Sequence, residues 1–269
     1  MKEIKTVEEW LGKDNQLGID IWNNKYRYNN ETFTEWLDRV SGKNEDLKQL
    51  ILEKKFLFGG RTLTNRGTNI KGSYSNCYSS GYVQDSLDDI MKTNTELALT
   101  YKAQGGQGVS LSKLRPKGCK VGNGEYESDG IVPFMELFNQ TTESVSQGGS
   151  RKGALIMTID AWHKQAMDFI TIKSDMNKIN KANLSLEIDD EFMQIVVNDL
   201  KDNTETTVER ADYFGKFPIT YEVTPIKLFR KMAELSWQNG EPAPIFVDKF
   251  RNYNLMQFCD DYEIETCNP

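Results

Sequence analysis

The sequence predicts an α/β fold in which helices pack against a largely parallel sheet. From residue 58 onward, short strand-like runs alternate with segments of helical spacing, and this alternation is typical of parallel sheets. The run "GALIMTI" at 153–159 is apolar throughout, as expected for a strand that is covered on both faces. The chain has 269 residues, of which 38% are hydrophobic and 11% aromatic, so it can bury a sizeable core.

Residues 1–57 are predicted to form an N-terminal helical segment that packs without chemistry of its own. The stretch "TFTEWLDRVSG" at 32–42 has apolar residues at helical spacing and a glycine at its end. The stretch "NEDLKQLILEKKFLFGG" repeats this pattern and is predicted to end at its glycine pair. We therefore divide the chain into this segment, 1–57, and a main α/β domain, 58–269.

The predicted elements of the main domain follow each other as strand and helix. The strands are expected at "SSGYVQ", "GVSLSKL", "GALIMTI", "ANLSLEID" and "PIFVDKF". The helices are expected at "DSLDDIMKTNTELALTYKAQGG", "DGIVPFMELFNQTTESV", "AWHKQAMDFITIK" and "TPIKLFRKMAELSWQNG". The polar stretch 199–220 is predicted to be an excursion from this pattern.

Helical spacing also predicts which side chains face the core. The first helix is capped by Asp85 or Ser86, and its predicted inward face consists of Leu87, Ile90, Met91, Leu97 and Tyr101. The last helix is predicted to bury Ile226, Phe229, Met232 and Trp237. In "ANLSLEID" the alternation places Leu184, Leu186 and Ile188 on one side of the strand.

Composition argues against several classes of function. A net charge of −7 and a pI near 5.0 are unfavourable for a general nucleic-acid binder. No window approaches eighteen apolar residues and the N-terminus is polar, so we expect a cytoplasmic protein without a membrane partner. The four cysteines form no C-x-x-C pair and His163 is the one histidine, so no structural zinc site is predicted.

Two basic loops stand out in this acidic chain. "SKLRPKG" at 112–118 follows a strand, and "SQGGSRKGA" at 146–154 joins an Arg-Lys dipeptide to flexible glycines. Guanidinium groups and free backbone N–H groups suit phosphates or base edges, whereas the alternative is a pair of solvated loops. "GTNIKGSY" at 67–74 is not a P-loop, because its lysine precedes the second glycine. Together with Asp85 and Ser86, the two basic loops predict a nucleotide site.

Seven segments in one order resemble the large, catalytic subunit of ribonucleotide reductase. They are "GSYSNCYSSGYVQDSLDDI", "AQGGQGVSLSKLRPKG", "DGIVPFMELFN", "SQGGSRKGA", "AWHKQAMDFITIK", "ANLSLEIDDEFM" and "FRNYNLMQFCDDYEIETCNP". The resemblance runs from about residue 58 to the last residue and is closest to the adenosylcobalamin-dependent class II. It implies the N-terminal half of a ten-stranded α/β barrel, preceded by a short helical segment.

The resemblance also implies roles for individual residues. Cys77 matches the reducing cysteine at the end of the first barrel strand, which closes a disulfide that a thioredoxin-type reductant reopens. The positions implied for substrate binding are Asn268, Thr62, Asn76, Gln147 and Arg151. The positions implied for binding a dNTP or ATP effector are Asp85, Ser86, Lys113, Arg115 and Lys152, with Lys113 or Arg115 near the effector phosphates.

The last residues, "IETCNP", match the start of the family's Asn-Pro-Cys-Gly-Glu segment. The resemblance therefore implies an N-terminal part that is inactive until a complementary C-terminal half supplies the thiyl-radical cysteine. An intein, a split gene or a truncated chain would each leave such an end. The implied partners are that half, a second copy of the completed enzyme, ribonucleotide substrates and dNTP effectors.

Two alternatives stay open at this stage. Adenosylcobalamin is the implied radical source, and a metal-radical small subunit is the other candidate. The chain could also be a non-catalytic nucleotide-binding or regulatory module that uses the same loops.

Overall fold

The computed structural model describes residues 4–70, 72–145, 153–175, 177–214 and 217–258. The chain forms two compact units, Met1–Asn76 and Cys77–Pro269. The division at residue 57, which separates a helical segment from a catalytic barrel, stays a prediction.

The first unit is helical. Its helices are α1 (Val7–Leu11), α2 (Gln16–Ile21), α3 (Phe33–Ser41), α4 (Glu45–Leu52) and α5 (Gly60–Asn65), with a π-helical turn at Trp22–Tyr26. Four aromatic rings form its centre, with centroid separations of 5.5 to 6.2 Å: Trp10, Trp22, Phe33 and Trp36. Such aromatic clusters contribute much of the apolar burial of a small unit.

The predicted helix across "TFTEWLDRVSG" is confirmed as α3. Thr32 and Glu35 form a capping box at its start, and Gly42 ends it in the left-handed conformation with φ of 66°. The prediction that the following helix runs to the glycine pair is wrong. α4 ends at Leu52, Lys54 has φ of 58°, and Gly60 begins α5 instead of ending α4.

The second unit contains the sheet. Its strands are β1 (Cys77–Tyr82), β2 (Gly106–Ser110), β3 (Lys120–Val121), β4 (Tyr126–Glu127), β5 (Ala154–Asp160), β6 (Ala182–Ile188), β7 (Val208–Phe214), β8 (Phe217–Val223) and β9 (Ala243–Phe246). Five of them form one sheet in the order β1-β2-β5-β6-β9, and every neighbouring pair is parallel. The predicted α/β fold with a parallel sheet is confirmed.

Helices connect these strands and cover the sheet. They are α6 (Leu87–Lys102), α7 (Val132–Val145), α8 (Ala166–Thr171), α9 (Asp190–Asp202), α10 (Pro225–Asn239) and α11 (Val247–Tyr253), with 3-10 turns at Ile172–Ser174 and Leu255–Phe258. One core joins buried strand residues such as Met157 and Leu184 to Phe138, Phe169 and Phe192 on the helices. None of the helices in the described ranges has an apolar stretch long enough to cross a bilayer.

The predicted excursion at 199–220 is confirmed, because this stretch interrupts the alternation of main-sheet strands and helices with a separate two-stranded sheet. It contains the end of α9, all of β7 and part of β8, and the two strands form an antiparallel hairpin. Residues in β7 alternate between exposed and less exposed positions up to Phe214. The stretch is polar because one face of this hairpin meets solvent, so polarity alone did not distinguish strand from loop.

Some predicted core positions are wrong. α6 buries Ile90, Leu97 and Tyr101, whereas Leu87 and Met91 are exposed. Trp237 at the end of α10 is 86% exposed. β6 buries Ser185 and Glu187 in addition to its leucines, because this strand lies inside the sheet and is covered on both faces.

We expect Thr32→Ala to destabilise the first unit by about 1 kcal/mol, because it removes the side chain that caps α3. Chemical unfolding monitored by tryptophan fluorescence measures this. Thr34→Ala, an exposed substitution in the same helix, is the matched control and should change the free energy of unfolding much less. Equal losses from both variants would contradict a capping role.

Candidate functional site

Cys77 lies in a row of small residues across three strands. Its Cα partner on β2 is Gly106, whose partner on β5 is Ala154. Partners in a parallel sheet point to the same face, so these three residues share one face at the amino ends of their strands. The Cys77 side chain is partly exposed and forms no disulfide. The two neighbours of Cys77 in this row therefore carry a hydrogen atom and a methyl group as their side chains.

The next row on this face continues the pattern. Ser79 on β1 is paired with Gly108 on β2, so the strand next to Cys77 and Ser79 carries no side chain at either position. The sequence interpretation treated the glycines of "QGGQG" as a helix stop. The structure instead ends α6 at Lys102 and places Gly106 and Gly108 inside β2. The placement of Cys77 at the end of the first strand is likewise corrected, since Cys77 begins β1.

A cavity of about 310 Å³ opens where α6 begins; we call it the effector pocket, after the role that the sequence resemblance implies for Asp85, Ser86 and Arg115. Its polar lining comes from Asp85, Ser86, Arg115 and Ser128, and its apolar lining from Leu87, Ile90, Val121 and Phe134, with Gly122 completing it. Ser86 caps α6 by accepting a hydrogen bond of 3.2 Å from the backbone N–H of Asp89. The N-terminal end of this helix therefore faces a pocket with an apolar wall and one cation, which suits a nucleotide.

Arg115 is held in this pocket by Asp85. The guanidinium Nη2 lies 2.7 Å from Asp85 Oδ2, and Nε donates to both carboxylate oxygens at 2.8 and 2.9 Å. The backbone N–H of Arg115 also donates to Asp85 Oδ1 at 3.1 Å. Both side chains are 21% exposed, so this ion pair remains accessible to a ligand.

Lys113 does not join this group. Its ammonium lies 4.1 Å from the ring centroid of Tyr82, and the residue lines a second cavity of about 220 Å³. We call this the hairpin cavity, because residues of β7 and β8 form one side of it. Its lining comprises Ser112, Lys113, Asp160, Trp162, His163, Arg210, Asp212, Tyr213, Phe214 and Tyr221. Lys113 and Arg115 are two residues apart in sequence but line different cavities.

Two carboxyl groups lie together beside the hairpin cavity, with Glu187 buried and Asp160 partly buried. Asp160 and Glu187 are Cα partners at the carboxyl ends of β5 and β6. Glu187 accepts hydrogen bonds from Thr158 Oγ1 and, at 2.9 Å, from Ser112 Oγ, which in turn accepts from the backbone N–H of Asp160 at 2.8 Å. Burial raises the pKa of Glu187 and raises the pKa of Asp160 to about 6.

The remaining predicted residues lie in the first unit or outside the described residues. Thr62 lies in α5 and Asn76 is the last residue of the first unit. Gln147, Arg151, Lys152 and Asn268 lie outside the described residues. Within the described ranges, no group of three or more His, Cys, Asp or Glu side chains is arranged to hold a metal ion.

Several residues of these sites were missed by sequence reasoning. Val121, Ser128 and Phe134 line the effector pocket from positions up to about fifty residues beyond Asp85, and the Arg210 side chain lies over Trp162 at 4.5 Å. These cavity residues gave no sequence signal. For the Cys77 row, the glycine spacing of "QGGQG" was an available signal, since glycines at alternate strand positions leave one face of the strand without side chains.

Comparison with known proteins identifies the family. The family model described as "Ribonucleotide reductase, barrel domain" matches residues 75–269, which is most of the chain. The chain belongs to the ribonucleotide reductase family. The matched range takes in the whole of the second unit, so the parallel sheet described above is part of a ribonucleotide reductase barrel domain.

Relatives of this ribonucleotide reductase chain carry two kinds of name. The chain is 30% identical over 246 residues to the vitamin B12-dependent ribonucleoside-diphosphate reductase of Thermoplasma acidophilum, and the match covers 88% of this chain and 31% of that protein. It is 29% identical over 226 residues to the protein of the same name from Mycobacterium tuberculosis, covering 84% and 31%. It is 35% identical over 130 residues to the ribonucleoside-diphosphate reductase large subunit of Danio rerio, covering 48% and 16%. The chain thus spans about a third of the length of its B12-dependent relatives.

A solved structure agrees on the fold. The class Id ribonucleotide reductase alpha subunit of Actinobacillus ureae is similar with a TM-score of 0.68 at 19% identity, covering 93% of this chain and 42% of that one. The resemblance to the ribonucleotide reductase large subunit that the sequence indicated is therefore confirmed for family and fold.

We expect Asp160→Asn to stabilise the protein by about 1–3 kcal/mol at pH 8 and to change little at pH 4. Folding raises the pKa of Asp160 from 3.8 to about 6, so the folded state binds more protons in this interval and loses stability as the pH rises through it. Urea unfolding at several pH values measures the difference. Asp202→Asn, an exposed change, is the control; the same pH slope in both variants would contradict the assignment.

Proposed function

We propose that this chain forms the first part of the catalytic barrel of a ribonucleotide reductase, which converts ribonucleotides to 2′-deoxyribonucleotides. The observation that carries the proposal is the placement of Cys77 in the row formed with Gly106 and Ala154. A sugar can approach the thiol across this row because two of its positions carry a methyl group or less. In the proposed enzyme this face of the sheet holds the substrate ribose.

The proposed reaction balances around two thiols. A ribonucleotide and two thiols give a 2′-deoxyribonucleotide, a disulfide and water: the C2′–O bond breaks, a C2′–H bond forms, and two S–H bonds are exchanged for one S–S bond. Cys77 supplies one thiol and helps release the 2′-hydroxyl as water. A second cysteine of the enzyme supplies the other thiol, and a thioredoxin-type dithiol reopens the disulfide by exchange.

Cys119 is a poor candidate for either thiol. Its side chain is 2% exposed, and burial raises the pKa of its thiol, so both access and thiolate formation are disfavoured. Among the described cysteines, Cys77 is the partly exposed one. The thiyl radical that removes hydrogen from C3′, and the resolving thiol, are assigned to the rest of the enzyme.

Adenosylcobalamin is the proposed radical source because relatives that cover most of this chain are named vitamin B12-dependent. Neither of the two cavities described above fits it. The cavities of about 220 and 310 Å³ have the size of a nucleoside, and the buried His163 ring has both nitrogens in hydrogen bonds. We therefore assign cobalamin binding to other parts of the enzyme.

The effector pocket is proposed to bind a dNTP. Leu87, Ile90, Val121 and Phe134 provide a surface for the base or sugar, Arg115 provides a cation for phosphate, and the start of α6 favours negative charge. Asp85 holds Arg115 in place, and Ser86 and Ser128 offer hydroxyl groups. Lys152 is proposed as a further effector contact from the sequence alone.

A second copy of the chain is the proposed neighbour of α6. Leu87, Met91 and Leu99 form an exposed apolar stripe at four-residue multiples on this helix. A helix that exposes such a stripe beside the effector pocket fits a dimer contact of the completed enzyme.

The thiol role is tested with this chain reassembled with the rest of the enzyme. Cys77→Ser should lower multiple-turnover reduction with a thioredoxin-type reductant by about 10²–10⁴-fold, because a hydroxyl neither donates the proton as well nor forms the disulfide. Deoxyribonucleotide formation is measured by chromatography.

Cys119→Ala is the matched control and should keep most of the activity, since that thiol is buried. Full turnover by the Cys77→Ser enzyme would overturn the assignment. A reassembled unsubstituted protein that binds dNTPs but never reduces a ribonucleotide would instead support the regulatory-module hypothesis.

The effector assignment predicts different effects of two neighbouring cations. Arg115→Gln should raise the dissociation constant for dATP or dTTP by about tenfold or more, because a charge-assisted phosphate contact is lost. Lys113→Gln removes the same charge from the hairpin cavity and should change the dissociation constant by no more than about twofold. Isothermal titration calorimetry measures both. A larger effect from Lys113→Gln would place the phosphates in the other cavity.

A further inference from the structure

One wall of the effector pocket is a long loop. Residues 113–130, which we call the pocket loop, connect β2 to α7 and contain the β3–β4 hairpin. Arg115, Val121, Gly122 and Ser128 of this loop line the pocket. Loops of this length are seldom rigid unless side chains from elsewhere hold them. The shape of the pocket therefore depends on what fixes the two ends of the loop.

Gln165 binds the pocket loop near its start, at Lys117, and directly after its end, at Ile131. Its side-chain Oε1 accepts hydrogen bonds from the backbone N–H groups of Lys117 at 2.9 Å and Ile131 at 3.2 Å. Its Nε2 donates to Asp168 Oδ2 at 3.2 Å, which orients the amide so that the oxygen faces the loop. The residue is 5% exposed, so water does not replace these bonds easily.

His163 holds the loop at Leu114, the residue directly before Arg115. Its Nδ1 accepts from the backbone N–H of Gln165 at 3.0 Å, so Nε2 carries the proton and donates to the carbonyl oxygen of Leu114 at 2.9 Å. Burial lowers the pKa of His163, which agrees with this neutral form. Arg115 thus lies between two fixed points, Leu114 and Lys117.

The backbone of the loop is shaped to admit the Gln165 amide. Gly130 has φ of 81°, and a Cβ at this position would lie 2.2 Å from Gln165 Oε1 and 2.7 Å from the backbone nitrogen of Lys117. A side chain there would have to displace the amide oxygen. The glycine, the glutamine and the two N–H groups form one interlocking arrangement.

We propose that Gln165, supported by His163, is a positioning residue for the effector pocket. By joining Lys117 to Ile131 it closes the base of the pocket loop, fixes Arg115 beside Asp85, and holds the β3–β4 hairpin against the start of α6. This rests on the proposed effector function of the pocket. Gln165 acts through the loop and does not touch the nucleotide.

The two hydrogen bonds from Lys117 and Ile131 to Gln165 Oε1 are called the clamp here. The test compares a variant that lacks the clamp with one that restores it. Gln165→Met keeps the length of the side chain but removes the acceptor. The double change Gln165→Glu with Asp168→Asn restores an acceptor for Lys117 and Ile131, restores the partner donor, and leaves the net charge unchanged. Gln194→Met on α9 is an exposed control of the same chemical type.

Two measurements are made on the full chain. Amide hydrogen exchange at Lys117 and Ile131 reports the clamp directly, and calorimetric titration with dATP and dTTP reports the pocket. Gln165→Met should speed exchange at both amides by about tenfold and raise the dissociation constants by about tenfold. The double change should return both quantities to within about threefold of the unsubstituted chain, and Gln194→Met should alter neither.

The outcomes distinguish the positioning role of Gln165 from the effector-binding function of the pocket on which it rests. Unchanged exchange in Gln165→Met would overturn the clamp, and restored exchange without restored affinity would overturn its role in binding. If the unsubstituted chain binds no dNTP, the effector pocket itself is refuted and the clamp loses that role. Should Gln165→Met fail to fold, Asp168→Ala provides a milder comparison, since it removes the exposed carboxylate that orients the Gln165 amide and should change both quantities in the same direction.

Discussion

The register of β1, β2 and β5 is the constraint on which both candidate sites depend. It places Cys77, Gly106 and Ala154 in one row at the amino ends of the strands, and the effector pocket and hairpin cavity beyond the carboxyl ends. A rise of about 3.3 Å per residue separates the two ends by roughly 15–20 Å. A slip of one residue between β1 and β2 toward Gln107 would put that long side chain beside Cys77 and destroy the row of small residues.

The elements that sequence predicted well are those whose signals are local. Ser86 before an acidic first turn and Pro133 in the first turn of α7 mark helix starts, and the unbroken apolar run of β5 marks a strand inside the sheet. Asp85, Ser86 and Arg115 line one cavity, as the sequence grouped them, because Asp85 and Ser86 directly precede α6 and Arg115 follows the neighbouring strand β2. The division of Lys113 from Arg115 was not predictable, because it depends on where β7 and β8 lie, and their polar sequence gave no sign of a hairpin.

The contacts that shape the sites also escape sequence reasoning for a physical reason. Gln165 and His163 bind backbone groups 34 to 49 residues away, and backbone partners leave no trace in side-chain identity. Glu187 shows the same difficulty, since an acidic residue in an alternating strand is expected at the surface and is instead buried among hydroxyl groups. Family resemblance assigned roles to exposed motif residues, whereas the residues that hold those motifs in place had to come from geometry.

A fixed pocket loop has a consequence for how an effector could influence a substrate roughly 15–20 Å away. A ligand shifts an equilibrium only through an element whose states it binds differently, so an element that is already held in one state transmits little. Hydrogen bonds at Leu114, Lys117 and Ile131 hold the pocket loop, and the Asp85 ion pair holds Arg115. The pocket loop is then the rigid side of the effector site. The glycine-rich segment 146–152, which leads directly into β5 and toward Ala154 in the Cys77 row, is the element whose sequence suits the responsive side.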